Sequence, residues 1–264
     1  MTDQAVTYTV DDGVATITLN RPDAMNSLDV ATKVALRDTV TEAAEDDAVR
    51  CVVLTGTGRA FCVGQDLKEH VEILNSRSSD ELFRTVPEHY NPTVKAVATM
   101  PKPVIAAVNG VAAGAGASLA FACDFRVLAD TAGFNLAFTG IALSCDTGAS
   151  WTLPRLVGRA KALELLYFPR TLSAEESLEL GLATKVVPAA DLDGEVTALA
   201  QRLAAGPTVA FGAVRRSMEY SAGHDFASSL DFEAQMMALT GATQDHERAV
   251  ASFVAKQKPA FEGR

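Results

Sequence analysis

Two glycine-bearing turns hold the residue types best able to do chemistry. The first is Gly58-Arg59-Ala60-Phe61-Cys62-Val63-Gly64-Gln65-Asp66-Leu67-Lys68-Glu69, and the second is Ala107-Val108-Asn109-Gly110-Val111-Ala112-Ala113-Gly114-Ala115-Gly116. Each follows a strand-like run and precedes a helical one. Around the second turn, residues 104–108 form a short continuous apolar run with β-branched members, which predicts a fully buried strand. Residues 117–123 are apolar almost throughout and predict a helix buried on most sides. A strand that feeds a helix through small residues leaves backbone N–H groups free at the helix start, where the positive end of the helix dipole adds to them. Such donors suit an anion, or an oxygen that becomes anionic. The competing reading is that the glycines only permit close strand–helix packing.

The elements that must position these turns follow from patterning. Thr7-Tyr8-Thr9-Val10 and residues 14–19 alternate around Asp11-Asp12-Gly13 and predict a hairpin. Asn20-Arg21-Pro22-Asp23 breaks the second strand, and Asn26-Ser27-Leu28 opens a helix ending near Glu45. A strand over 49–55 feeds the first turn, and a helical piece begins at Asp66-Leu67-Lys68. Residues 69–92 are polar and irregular, and read either as a lid lining a ligand or as a surface loop. A helix over 93–100 is stopped by Pro101 and Pro103. Beyond the second turn a strand is expected over 126–129, an irregular stretch over 130–150 and a helix over 159–167. Ser173-Ala174-Glu175-Glu176 is a capping box with Gly181 as its stop, and a last strand covers 185–187. After residue 191 only helices fit, over 192–205, 209–221, 225–240 and 245–256. Strands and helices alternate first and helices alone follow, which implies an α/β core, 1–200, carrying the ligand site, and a helical region, 201–264.

Composition removes several function classes. Lys and Arg number 23 against 33 Asp and Glu, a net charge of −10 with no basic cluster. Nucleic acid and anionic membrane surfaces are therefore not expected partners, although a phosphorylated ligand remains open. Cys51, Cys62, Cys123 and Cys145 form no C-x-x-C pair and read as reduced thiols. His70, His89, His224 and His246 lack metal-ligand spacing, so no metal site is expected. The first residues, MTDQAVTYTVDDG, lack the features of a signal peptide, and no run of 18 apolar residues exists. A cytoplasmic location is the expectation. The spacing Gly110-x3-Gly114-x-Gly116 is not that of a dinucleotide fingerprint, and Gly116-Ala117-Ser118-Leu119-Ala120 lacks the final glycine of a nucleophile elbow.

The paired turns come with Asn20-Arg21-Pro22 and Asn26-Ser27-Leu28 before them. Leu153-Pro154-Arg155-Leu156-Val157-Gly158, then Ser173-Ala174-Glu175-Glu176 with Gly181-Leu182, then Phe253-Val254-Ala255-Lys256 follow. In that order, over nearly the whole chain, they resemble the crotonase superfamily of enoyl-CoA hydratases and isomerases. The resemblance implies a spiral of ββα turns with C-terminal helices that build a homotrimer or a dimer of trimers. It implies an acyl-CoA substrate, with coenzyme A only as part of the thioester, and neither a redox cofactor nor a metal. Its shared chemistry is a thioester enolate held by two backbone N–H groups, carried over here to Gln65 and Ala115. The CoA portion would meet Arg21, Asn26, Leu28, Asp66 and Leu67, with Lys256 and a neighbouring subunit's Phe253 near the 3′-phosphate.

The same resemblance places Ser118 and Phe138 where a hydratase carries its two glutamates. Phe138 cannot move a proton, and Ser118 has no visible base beside it. Asp146, in Leu143-Ser144-Cys145-Asp146-Thr147-Gly148-Ala149-Ser150-Trp151, falls where family isomerases carry a catalytic Asp. Asn91-Pro92, Met100-Pro101-Lys102-Pro103 and Ser150-Trp151-Thr152-Leu153-Pro154-Arg155 look closest to the epoxyphenylacetyl-CoA/dienoyl-CoA isomerase branch. One base suits an isomerase, because one carboxylate can take a proton from one carbon and return it to another. Alternatively, Asp146 caps the helix starting near Gly148. Two departures stand beside it: Cys145 replaces a frequent Pro, and Ala142 a frequent Gly. The expected activity is an enoyl-CoA double-bond shift, or an epoxyphenylacetyl-CoA to oxepin-CoA rearrangement, with residues 69–92, Phe138 and Trp151 sizing the acyl pocket. The alternatives are a hydratase or thioesterase of the family with another base, and a non-catalytic acyl-CoA-binding homologue.

Overall fold

The computed structural model describes residues 4–76 and 82–264. Asp12 and Gly13 both adopt positive φ, 46° and 76°, the geometry that an Asp-Gly hairpin turn asks for. They join β1 (Val6–Asp11) to β2 (Val14–Leu19) in antiparallel register. The expected helix then starts later than Asn26. Met25 and Asn26 are left-handed, at φ 52° and 56°, and α1 (Val30–Glu45) is capped by the Asp29 side chain, which accepts from the Thr32 N–H. Asn26 is diverted because its carboxamide donates to the carbonyls of Thr57 and Ala60, and Asn tolerates a left-handed backbone.

A ββα unit then repeats. It appears first as β3 (Cys51–Gly56), β4 (Ala60–Cys62) and α2 (Leu67–Ser76). A π-helical turn, Val86–Tyr90, and α3 (Asn91–Thr99) lead to the second unit: β5 (Val104–Val108), β6 (Val111–Ala113) and α4 (Ala115–Phe121). The third is β7 (Phe125–Ala129), β8 (Gly133–Asn135) and α5 (Ala149–Val157). After these come α6 (Arg159–Tyr167), β9 (Thr171–Ser173), α7 (Ala174–Glu179) and β10 (Lys185–Val187). The long strands and the short β10 form one sheet, β1-β2-β3-β5-β7-β10, parallel except for the hairpin, and the remaining short ones form a second, β4-β6-β8-β9. Every residue of β5 is buried, as its uninterrupted apolar run demands.

Two expectations are corrected here. The described residues of the stretch 69–92 are not irregular: α2 runs to Ser76 and helical structure resumes before Tyr90. Arg77-Ser78-Ser79-Asp80 of that stretch lies outside the described residues. The polar side chains of Lys68, Glu69, His70, Glu72 and Asn75 belong to α2, and helix interiors accept such residues readily. The second turn and the stretch 130–150 contain β6 and β8, whose three residues are too few to show a period.

The C-terminal helices appear as expected. α8 (Leu192–Ala204) packs on β3, β5 and β7. α9 (Thr208–Ser221) and α10 (Phe226–Gly241) form a helical hairpin, and α11 (Gln244–Val254) packs on α10. The final residues return to the core: Arg50 donates to the Phe261 and Gly206 carbonyls, and the buried Asp245 carboxylate accepts from the Glu262 and Gly263 N–H groups.

Candidate active site

The repeated unit brings the two glycine turns side by side. β4 pairs in parallel with β6, so the turn leaving each strand emerges at the same edge. Gly64 (φ 81°) and Gly114 (φ 53°) both need a backbone that L side chains rarely adopt. A Cβ at Gly64 would sit 3.0 Å from the Ala113 carbonyl oxygen and 3.2 Å from the Ala115 nitrogen. A Cβ at Gly116 would overlap the Cys62 carbonyl, so α4 lies directly on β4. Among the described residues, neither the Gln65 nor the Ala115 N–H donates to another group, although their neighbours do: Gly114 N–H to Asn135 and Asp66 N–H to Leu28. The fold thus holds two adjacent, unspent donors, one of them at the first residue of a buried helix.

Asp146 comes from the third unit, in the loop between β8 and α5. Its side chain does not cap α5: the cap residue is Gly148, without a side-chain hydrogen bond. The carboxylate accepts from the Thr147 hydroxyl at 2.9 Å. Burial pushes its pKa above the ordinary carboxylate range, with only the Thr147 hydroxyl working against this. Ala142, where the resemblance puts a glycine, adopts the glycine-like φ of 59°, so the turn before Asp146 survives the substitution. Cys145 is a half-buried free thiol.

The other residues singled out by sequence are placed as follows. Ser118 is fully buried and its hydroxyl donates back to the Gly114 carbonyl at 3.0 Å, so it is spent on the helix. The Phe138 ring lies 3.9 Å from a Cβ placed on Gly114, over the second turn. Arg21 is committed to Asp66, Asp29 and the Ser27 carbonyl. The Asp66 carboxylate also receives the Ser27 hydroxyl and the Lys68 N–H at the start of α2. Asn26 is wholly buried, both ends of its carboxamide spent on the Arg21 N–H and on the Thr57 and Ala60 carbonyls. It pins the first turn instead of lining a cleft. Leu28 is also buried, and its backbone brackets Gln65 by accepting from Asp66 and donating to Gly64. Leu67 is exposed. Trp151 stacks under the Arg155 guanidinium and lines an apolar cavity of about 940 Å³ between α3, α5 and α9, distinct from the small void at Ala115 and Thr147. Phe253 and Lys256 stand exposed at the end of α11.

Sequence reasoning missed Lys33 and Tyr90. Lys33 has a buried side chain on α1 and donates to Gln65 Oε1 and to Glu69. Tyr90 is buried and donates its hydroxyl to the same Gln65 oxygen at 2.6 Å. A signal existed for Lys33: it falls on the inward stripe with Leu36, Val40 and Ala43, where an unpaired charge is costly.

Comparison with known proteins identifies the family. The enoyl-CoA hydratase/isomerase family model matches residues 9–264. The 1,2-epoxyphenylacetyl-CoA isomerase of Escherichia coli is 39% identical over 255 residues, 97% of each chain. A "Probable enoyl-CoA hydratase" of Rhodobacter capsulatus is also 39% identical, over the full length of both. A solved structure of a family protein from Mycobacterium abscessus superposes with a TM-score of 0.94 at 41% identity, covering 98% of this chain and 100% of the other. Two adjacent unspent N–H donors on a repeated ββα scaffold and a match along almost the entire sequence give one conclusion: the chain is a crotonase-fold member of the enoyl-CoA hydratase/isomerase family.

Proposed function

We propose that this acyl-CoA enzyme is an isomerase with Asp146 as its single acid–base group. The thioester carbonyl docks on the Gln65 and Ala115 N–H groups. Asp146 removes a proton from C2 of a 3-enoyl thioester, the electron pair passes into a dienolate held by the two donors, and the same carboxyl returns the proton at C4. No redox group or metal is required by the reaction so written. A donor of this kind contributes roughly 2.7–4 kcal/mol at the transition state. The relatives do not choose between isomerase and hydratase, since one of each stands at 39% identity. What carries the isomerase reading is Asp146, a carboxylate not spent on its helix and pushed upward by burial, the condition in which a carboxylate is a useful base near neutrality. Ser118 and Phe138, at the positions of the hydratase glutamates, offer no second base. The named isomerase relative makes an epoxyphenylacetyl-type acyl group the first candidate after simple 3-enoyl chains. Arg21, Asp66 and Leu67 would border the CoA nucleotide. Phe253 and Lys256 would complete that site on a neighbouring subunit of a trimer or a dimer of trimers.

The test is turnover of a 3-enoyl-CoA and, separately, of crotonyl-CoA in water, by the wild type and Asp146→Asn. Isomerisation is expected to fall by about 10²-fold or more in the variant, with negligible hydration by either. Brisk hydration that survives Asp146→Asn would overturn the mechanism. Tight thioester binding with no turnover of any acyl group would favour a binding protein.

A further inference from the structure

Gln65 faces two ways. Its backbone N–H is one of the two candidate donors, and its side chain turns back into a closed ring of polar groups. Oε1 accepts from the Tyr90 hydroxyl at 2.6 Å and from Lys33 Nζ at 3.2 Å, while Nε2 donates to Glu69 Oε2 at 3.4 Å. Lys33 also reaches Glu69 Oε2 at 3.4 Å, and Glu69 Oε1 accepts the Val30 N–H at 2.9 Å. An ammonium only donates and a carboxylate only accepts, so the orientation of the Gln65 amide is fixed by its neighbours. The ring ties the donor-bearing peptide to α1 through Lys33 and Val30, to α2 through Glu69, and to the π turn through Tyr90.

Two features set this ring apart from ordinary core satisfaction. Tyr90 closes a π-helical turn, Val86–Tyr90, in which Asn91 N–H bonds back to Val86; such widened turns are rare and cluster at functional sites. The same side chains also border the site: Lys33, Tyr90, Ala115 and Thr147 line one void of about 10 Å³, hardly room for one water. The Tyr90 phenol is pushed strongly upward, by burial first and then by the negative charge of Asp146, so it remains a donor throughout the working pH range. The Lys33 ammonium lies 5.7 Å from the Tyr90 ring centroid.

We propose that Tyr90 and Lys33 are positioning residues of the enolate site, holding the Gln65 side chain so that its backbone N–H stays aimed at the thioester oxygen; this rests on the oxyanion-hole reading above. The 64–65 peptide sits at a glycine in the left-handed region; its carbonyl accepts the Leu28 N–H, and the Gln65 side chain adds anchors on α1, α2 and the π turn. Loss of those anchors leaves only the backbone pairing with Leu28 to aim the donor, and small misplacements of a catalytic donor are expensive in rate.

The test compares Tyr90→Phe, Gln65→Ala and the double variant. Gln65→Ala keeps the backbone N–H and removes only the tether. Tyr90→Phe keeps the ring, and Lys33 still satisfies Gln65 Oε1, so folding is preserved. Each single variant is expected to lose roughly ten- to hundredfold in kcat with KM within about threefold. The double variant is expected to be no worse than the poorer single one, the mark of groups acting through one another. A second readout is independent of turnover: the infrared C=O stretch of bound [1-13C]butyryl-CoA, which red-shifts when the carbonyl is polarised. Wild type and Asp146→Asn should show the full shift, and Tyr90→Phe and Gln65→Ala a reduced one. A full shift with unchanged kcat in Tyr90→Phe overturns the proposal. So do additive losses in the double variant, which would mean that Tyr90 acts on the substrate and not through Gln65. Failure of Asp146 as the base would leave the carbonyl shifts, and hence this proposal, separately readable.

Discussion

Asp146 and Asp66 are carboxylates perturbed in opposite directions, and they predict opposite pH signatures. Burial raises the Asp146 pKa. The folded state therefore holds that proton more tightly than the unfolded chain does. Its contribution is fully present below the ordinary value of about 3.9 and is lost as pH rises through the folded-state value. The ionised form of Asp146 is a stability cost, as expected of a group kept for chemistry. Asp146→Asn should raise Tm at pH 7 by about 2–4 °C, the change that roughly 1 kcal/mol makes in a chain of this size. That gain should shrink as pH falls through the folded-state value and vanish below the ordinary value of about 3.9. Burial also pushes Asp66 upward, but hydrogen bonds from Ser27, Arg21 and the Lys68 and Glu69 N–H groups outweigh it, and its pKa is lowered. Its contribution is present above the ordinary value and lost as pH falls through the folded one. Asp66→Asn should therefore cost about 1–2 kcal/mol at pH 7, and less in acid. Thermal melts of both variants from about pH 2 to pH 8 check the pair. A lower Tm at pH 7 for Asp146→Asn would make Asp146 a structural residue and remove the argument for it as a base.

At the scale of elements, the site exists because one ββα unit recurs and its short strands pair. β4 beside β6 sets the two turns in register, and Gly116 lets α4 seat on the Cys62 carbonyl. Gly116→Ala should cost about 3 kcal/mol by overpacking, and the displaced Ala115 N–H should lower kcat more than it raises KM. A normal melt with unaltered kcat would show that the contact relaxes away from the donor. Much of this was legible in the sequence. β5, α7 and the C-terminal helices declare themselves by a continuous apolar run, a capping box and the end of strand signal. The donor at Ala115 follows from a glycine turn meeting a buried helix. Strands of three residues carry no period, so the second sheet, which aligns the turns, was invisible. The start of α1 was misplaced because the Asn26 side chain answers to carbonyls 31 and 34 residues away. The ring around Gln65 joins residues far apart in sequence, and only Lys33, a charge on an apolar stripe, betrayed it locally. Asp146 was found through family resemblance, since nothing in its spacing distinguishes a base from a helix cap.

The whole molecule carries more apolar surface than a solitary chain should. No residue of α10 is buried, yet it presents Phe226 and Met237, 77% and 72% exposed. α11 ends on Phe253 and Val254, also bare. A cavity of about 940 Å³ between α3, α5 and α9 is lined by Val94, Ala98, Phe121, Trp151, Val214 and Met218. Exposed apolar surface on this scale marks an interface. In the trimer proposed above, a second copy of the chain would supply matching apolar helices and bring Phe253 and Lys256 to a neighbour's CoA site. Light scattering on the purified chain should give three or six times 27.8 kDa. Met218→Asp, at a position 69% exposed in the single chain, should cost an isolated monomer within about 0.5 kcal/mol. In an assembly the same change buries an unpaired carboxylate, so the mass should fall toward one chain. KM for the CoA thioester should rise more than kcat falls, because in the proposed trimer Asp146 and both donors belong to one chain while part of the nucleotide site would come from its neighbour. A wild-type monomer with full activity would mean that Phe253 and Lys256 play no part in binding and that the apolar helices serve some other partner.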